Sequence, residues 1–168
     1  MGAGVDDGRM QDRERDAEGR ARSTRPRDGF GRPLPPGSIG VPRIPDDLEL
    51  PPDRTLGYAQ ELLDDGLAFN AHEVLEAAWK NGPFAERQLW QGLAQLAVGL
   101  THIQRGNAKG ARTLLLRAAE RLAMYEPEPG GDHGVDRAGL IEYARALVAR
   151  LAPDAEIAPG DLRPALRR

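Results

Sequence analysis

The stretch ERQLWQGLAQLAVGLTHIQR (residues 86–105) decides the fold, because it has the pattern of one long helix with apolar side chains around most of its circumference. Four of its polar side chains, Gln88, Gln91, Gln95 and His102, lie within about 60° of one another on a helical wheel, and the rest of the circumference is largely apolar. A helix that is apolar on its other sides is covered by neighbouring helices. We therefore expect residues 86–105 to form the central helix of a bundle.

The apolar spacing outside this helix is also helical, and no stretch alternates with the period of two that a half-buried strand shows. Breaks rich in glycine, proline and polar residues occur at Gly66, 81–84, 105–107 and 126–134. Four further helices are predicted over residues 53–65, 68–80, 108–125 and 136–151, with Asp53, Asn107 and Asp136 as N-caps. The connections are short, so the sequence predicts an all-α fold of about five helices in antiparallel hairpins.

A faint internal repeat supports the hairpins. Gly66 precedes Ala71 by five residues, and Gly106 precedes Ala111 by the same offset. Each glycine lies between two predicted helices, and each alanine lies early in the second helix, where a small side chain allows close packing. The pattern resembles tetratricopeptide-type helical hairpins and predicts a tetratricopeptide-like bundle.

The chain divides into three parts by composition. Residues 1–52 carry mixed charges and then many prolines, which predicts a tail that is disordered and, in its Pro-rich half, extended. Residues 53–152 form the predicted helical domain. Residues 153–168 are again rich in polar residues and proline and are expected to form a tail or a segment that straps across the domain.

Composition limits the classes of function. The formal net charge is −3, so no global basic field favours nucleic acid or a membrane surface. The chain has no cysteine, which excludes thiolate chemistry and disulfides, and its longest apolar runs are too short to span a bilayer. We expect a cytoplasmic protein, a monomer or homodimer, whose partner is an unidentified small molecule or protein.

The second predicted helix contains FNAHEVLEAAWK (residues 69–80), in which two polar side chains share the apolar arc. At 100° per residue His72 and Glu76 lie on the same side as Phe69 and Trp79, whereas Asn70, Glu73 and Lys80 fall on the opposite, solvent-facing side. A buried carboxylate needs a partner, and His72 is one turn away from Glu76.

The polar stripes of the second and third helices are expected to meet in a buried cluster. The predicted cluster consists of His72, Glu76, Gln91, Gln95 and His102, with Phe69, Trp79, Gly92 and Gly99 as its walls. Glycine in a helix interior costs about 1 kcal/mol relative to alanine, so Gly92 and Gly99 indicate that another backbone or a ligand comes close.

Three interpretations of this cluster remain open. It can be a hydrogen-bond network that fixes helix register, or a pocket for a small molecule or peptide. It can also be a metal centre ligated by His72, Glu76 and His102, or an acid–base site in which Glu76 orients His72. We favour a metal-free cluster beside a small cleft that serves binding. No cofactor is predicted, a divalent metal is the alternative, and enzymatic activity is left open.

Several ordered motifs carry a resemblance to a known family. They are F-x-x-H-E-x-x-E-x-x-W (residues 69–79), Q-G-x-x-Q-x-A (residues 91–97), His102, and RGN followed by Gly110 and Ala111. Over about residues 56–125 the chain resembles the domain-of-unknown-function family 309. The resemblance implies an all-helical fold and a prokaryotic origin, and it supports the choice of site residues. It implies no reaction.

Overall fold

The computed structural model of the protein describes residues 25–168. The described part contains five α-helices and two short 3-10 turns, and no strand. The helices are α1 (Pro52–Asp64), α2 (Ala68–Asn81), α3 (Arg87–Gln104), α4 (Ala108–Met124) and α5 (Arg137–Arg150). The all-α prediction is confirmed, and each helix begins and ends within one residue of its predicted bounds. The tail predicted over residues 1–24 lies outside the described residues.

The two glycines of the repeat close two similar hairpins. Gly66 and Gly106 both adopt left-handed backbone conformations, with φ of 77° and 73°. In each hairpin the glycine N–H donates to the carbonyl three residues back, and the next N–H donates to the carbonyl five residues back. Ala71 and Ala111 are fully buried. The α1–α2 and α3–α4 turns thus have the same hydrogen-bond pattern, which is typical of helix C-termini that end in a left-handed glycine.

The helix N-termini are capped as the sequence predicts in two of three cases. Asn107 and Asp136 each accept a hydrogen bond from the N–H three residues further on, at 3.0 and 3.1 Å. Asp53 was expected to cap α1, but the cap position is Pro51, and no side chain bonds there. Asp53 instead lies in the first turn, because two consecutive prolines start the helix one residue earlier.

Helix α3 is the central helix, as predicted. It packs against both α2 and α4, and most of its side chains are buried. Trp90 of α3 is 2% exposed within the single chain. Its ring stacks on the His133 ring at 5.9 Å, and its indole N–H donates to Glu86. None of the described helices is long and apolar enough to cross a membrane.

Residues 25–51, here called the N-terminal segment, run along the helices without forming one. Ile44 is buried in the core. Asn70 of α2 donates to the Pro42 carbonyl at 3.0 Å, and Asn81 at the end of α2 donates to the carbonyls of Asp46 and Leu48. The segment therefore covers one side of α2.

Residues 153–168 strap across α1 and the start of α5. Leu162 and Leu166 are buried. The Gln60 side chain of α1 donates to the Pro164 carbonyl and accepts from the Leu166 N–H. This segment links α1 to the start of α5, because the Asp136 N–H also donates to the Leu166 carbonyl.

Candidate functional site: a polar cleft between α2 and α3

Helices α2 and α3 enclose a small cavity between their polar stripes. Its volume is about 130 Å³, and it is lined by His72, Glu76, Trp79, Gln91, Ala94, Gln95 and Val98. We call it the Gln95 cavity. The structure thus brings together four of the five predicted cluster residues and one of the predicted wall residues, Trp79. They meet because positions four residues apart on each helix share a face, and those two faces pack against each other.

The His72–Glu76 pair forms one wall of the cavity. His72 Nε2 lies 2.9 Å from Glu76 Oε2, and His72 Nδ1 lies 3.3 Å from the Phe69 carbonyl oxygen. Both ring nitrogens therefore face an acceptor. A general base must present a nitrogen lone pair to its substrate, whereas here both nitrogens point at groups of the same helix. This geometry suits a fixed binding wall better than a proton-transfer group.

Glu76 is held in its charged form. Its Oε1 atom lies 2.9 Å from the Lys80 ammonium, and its Oε2 atom lies next to His72. The hydrogen bond from His72 contributes most, and together with Lys80 it outweighs desolvation and lowers the pKa of Glu76 from 4.5 to about 2. The wall of the cavity therefore carries a carboxylate at neutral pH.

The cluster is less buried than the sequence predicts. The side chains of His72 and Glu76 are 19% and 34% exposed, and Gln91, Gln95 and Trp79 are also only partly buried. The reason is geometric: the polar stripes lie at the edge of the α2–α3 contact, not at its centre. The site is a surface cleft.

A second cavity lies on the other side of the His72–Glu76 pair. Its volume is about 180 Å³, and the N-terminal segment forms part of it. It is lined by Arg43, Asp46, Phe69, His72, Glu73, Glu76, Ala77 and Lys80. We call it the Arg43 cavity. Phe69, predicted as a wall, belongs to this cavity and not to the first.

Two residues that the helical wheel places in solvent are covered. Asn70 is 3% exposed, and the Glu73 side chain is 11% exposed and lies 3.5 Å from the Arg43 guanidinium. Burial raises the pKa of Glu73, although the charge of Arg43 opposes this. The prediction for these positions is wrong because the N-terminal segment packs on that side of α2. Glu73 was therefore missed as a site residue.

His102 does not join the cluster. Its Nδ1 atom lies 3.1 Å from the Asn107 amide nitrogen, in the turn between α3 and α4. Burial, and to a lesser extent the charge of Arg105, lower the pKa of His102, in keeping with a neutral ring that accepts from Asn107. His102 lies seven residues beyond Gln95, which is about 10 Å along the helix axis. A helical wheel gives only the angle of each side chain about the axis, so this distance does not appear in it.

The glycines of α3 face α4 instead of the cleft. A Cβ at Gly99 would lie 2.8 Å from two carbons of Leu115, and a Cβ at Gly92 would lie 3.1 Å from two carbons of Leu122. The sequence allows two reasons for these glycines, a nearby backbone or a ligand. The structure shows the first, a close approach of α3 to α4. Gly92 and Gly99 are not walls of the site.

The structure does not bring together His72, Glu76 and His102, the three residues of the metal centre that the sequence allows as an alternative. Within residues 25–168, no three His, Asp or Glu side chains come together in a way that could hold a metal ion. His72 and Glu76 supply two donors, and His102, the proposed third, bonds to Asn107.

Gln95 supplies the most unusual atom of the cleft. Its Oε1 atom is buried and has no hydrogen-bond partner among the described residues. Gln91, one turn earlier, lines the same cavity. Buried side-chain oxygens without partners are uncommon in native proteins, so such an atom calls for an explanation.

The fold and the cleft define a small all-α protein with a polar cleft between its second and third helices. The family model Domain of unknown function (DUF309) matches residues 56–114, which confirms the resemblance found in the sequence. This range contains His72, Glu76, Gln91 and Gln95.

A relative has been described in a bacterium. The Uncharacterized protein YpuF of Bacillus subtilis (strain 168) is 34% identical over 84 residues, which cover 49% of this chain and 48% of that protein. The chain therefore spans about half the length of this relative. Neither description states an activity. No solved structure matches the chain.

Proposed function

We propose that the chain is a binding protein that holds a small polar molecule in the Gln95 cavity. The observation that carries the proposal is the buried, unpartnered Oε1 atom of Gln95, a residue that lines this cavity. An unsatisfied buried acceptor costs roughly 1–3 kcal/mol, so a ligand N–H or O–H in the cavity recovers this free energy once the Gln95 amide turns to meet it.

The size of the cavity limits the ligand. An apolar cavity of roughly 150 Å³ accommodates benzene, and the Gln95 cavity has a similar volume of about 130 Å³. A molecule of about six to eight non-hydrogen atoms therefore fits. Its binding free energy should be within a few kcal/mol of that of a good fragment of this size.

The charges of the cleft specify the polar groups of the ligand. The Glu76 carboxylate is shared between His72 and Lys80, so the cleft has no unbalanced charge at this point. The Gln95 carbonyl and the amide groups of Gln91 are neutral hydrogen-bonding groups. A neutral amide or diol matches this lining better than a strong acid. The Trp79 ring supplies an apolar wall for its carbon atoms.

The proposal is tested by NMR with the full chain labelled with ¹⁵N. Small amides and diols of up to about eight non-hydrogen atoms are added singly. A binding molecule should shift the side-chain amide signals of Gln91 and Gln95 more than those of Gln88, which lies on the same helix but bonds to Arg121.

Matched variants decide the outcome. Gln95→Leu has nearly the same volume but no acceptor, and it should abolish the shifts caused by the best probe. Gln88→Leu is the control and should preserve them. The proposal is overturned if no probe shifts the Gln95 signals, or if Gln95→Leu binds the best probe as well as the unchanged chain.

A further inference from the structure

A cavity larger than the Gln95 cavity lies away from it. Its volume is about 390 Å³, and it is enclosed by residues 48–52, the first turn of α1, the second half of α2 and the start of α3. Pockets that bind small organic molecules typically have about 300–1,000 Å³. We call it the Trp90 cavity. Its size suits a larger ligand than the one proposed for the polar cleft.

The walls of the Trp90 cavity are mostly apolar. Leu48, Val74, Ala77 and Ala78 line it beside Trp90. The apolar part of a ligand would gain roughly 25 cal/mol for each Å² of its surface removed from water here, so an apolar body is the main requirement.

The charged side chains in the wall are all acidic. Of the described residues that line the cavity, Glu49 and Glu86 are ionisable, and none is basic. The Glu86 side chain is only 18% exposed. A carboxylate at the edge of an apolar cavity attracts a cation more strongly than one in open water, because the surrounding dielectric constant is lower.

Glu86 is held in position by two other side chains. Trp90 Nε1 donates to Glu86 Oε1 at 3.0 Å, and His133 Nε2 lies 2.8 Å from the same oxygen. Neither bond uses Oε2. His133 reaches Glu86 from the loop between α4 and α5, where its backbone has a positive φ of 50°. A non-glycine residue seldom adopts this conformation, and here it directs the ring onto Trp90 and Glu86.

The start of α1 does not compete as an anion site. Helix N-termini attract anions through their unbonded N–H groups. The cap residue Pro51 and the first helical residue Pro52 have no N–H, and the Thr55 N–H already donates to the Pro51 carbonyl. Asp53 and Arg54, whose N–H groups remain, do not line the cavity. The two carboxylates therefore set the sign of the charge in this cavity.

We infer that the Trp90 cavity binds an amphiphilic cation, a small molecule with an apolar or aromatic body and one positively charged nitrogen that pairs with Glu86. The inference is independent of the proposed function, because the two cavities have no lining residue in common. The apolar body contacts Ala77, Ala78 and Trp90, and the ammonium group lies at Glu86.

The inference is tested with benzylammonium and its neutral counterpart, benzyl alcohol. The full chain carries Trp79→Phe, so that Trp90 is its only tryptophan and reports on the cavity by fluorescence. Benzylammonium should change the emission of Trp90 with a dissociation constant about tenfold lower than that of benzyl alcohol, because it adds a charge-assisted hydrogen bond.

Two variants separate the charge from the cavity. Glu86→Gln should reduce the preference for the cation to less than about twofold, whereas Glu49→Gln, a change at an exposed side chain, should leave most of it. Ala78→Leu keeps Glu86 but fills the cavity, and it should weaken both probes.

Three results would overturn the inference. They are equal affinity for the two probes, an unchanged preference in folded Glu86→Gln, and undiminished binding of benzylammonium in Ala78→Leu. If Glu86→Gln fails to fold, Ala78→Leu and the comparison of the two probes still decide the matter.

Discussion

Replacement of Gly99 by alanine tests whether the glycines of α3 serve helix packing. Two effects of opposite sign compete. Alanine in place of glycine in a helix interior contributes about 1 kcal/mol of stability. The added Cβ would lie 2.8 Å from Cγ and Cδ2 of Leu115, and extra volume in a packed core costs about 1–3 kcal/mol. We expect a net loss of about 1 kcal/mol.

Gly92 provides the matched control on the same helix. A Cβ there would meet Leu122 at 3.1 Å, a contact that small shifts can relieve. Gly92→Ala should therefore be close to neutral. For a chain of this length, 1 kcal/mol corresponds to about 2–4 °C in Tm. Gly99→Ala should melt several degrees below Gly92→Ala in calorimetry, with urea denaturation as the check on the free energy.

A double-mutant cycle identifies the origin of the effect. Leu115→Ala removes both carbons that the new Cβ would meet, Cγ and Cδ2, so Gly99→Ala should cost less in that background, by about 1 kcal/mol. Additive effects of the two substitutions would refute the contact as the cause. Equal Tm values for Gly92→Ala and Gly99→Ala would refute the assignment of these glycines to the α3–α4 interface.

Three further predictions concern the cleft and the two segments that cover the helices. The folded-state pKa of Glu76 is lowered to about 2. The contribution of its carboxylate to stability is therefore present above the ordinary pKa of 4.5 and is lost as the pH falls towards 2. Glu76→Gln should flatten the pH dependence of the urea midpoint in this range. Asn70→Ala removes the bond to Pro42, and it should speed amide exchange in residues 27–44 without a comparable change in α3. Leu166 is 1% exposed, so Leu166→Ala should lower the free energy of unfolding by about 2–5 kcal/mol in urea titrations.

The helices were predictable because their signals are local. Gly66 and Gly106 lie in left-handed turns that glycine adopts without strain, and Asn107 and Asp136 cap the helices that follow. Each of these features depends on residues within one turn of the chain. The bounds of all five helices followed from them to within one residue.

The residues that line the cleft were predictable only in part. His72, Glu76, Gln91 and Gln95 share a cavity because a helical wheel correctly gives the angular position of each side chain. The wheel does not give the distance along the axis, so it placed His102 in the same group. Nor does it show that the glycine side of α3 faces α4.

The role of the N-terminal segment could not be read from its composition. Prolines and charged residues predict a chain that buries little apolar area, yet Ile44 reaches the core and Arg43 lies beside Glu73. The contacts depend on Asn70 and Asn81, two polar side chains of α2 that look like ordinary surface residues in the sequence. Only the packing of distant segments shows what they bind.

The strap formed by residues 153–168 has a consequence for the order of folding. Neighbouring helices pack on each other, so their contacts can form while the chain is still being synthesised. The Leu166 N–H, by contrast, bonds to Gln60, which precedes it by 106 residues. Helix α1 is thus made long before the segment that covers it. A ribosome-bound chain would hold the helical hairpins with this face of α1 bare, and the strap would add after the hairpins have formed.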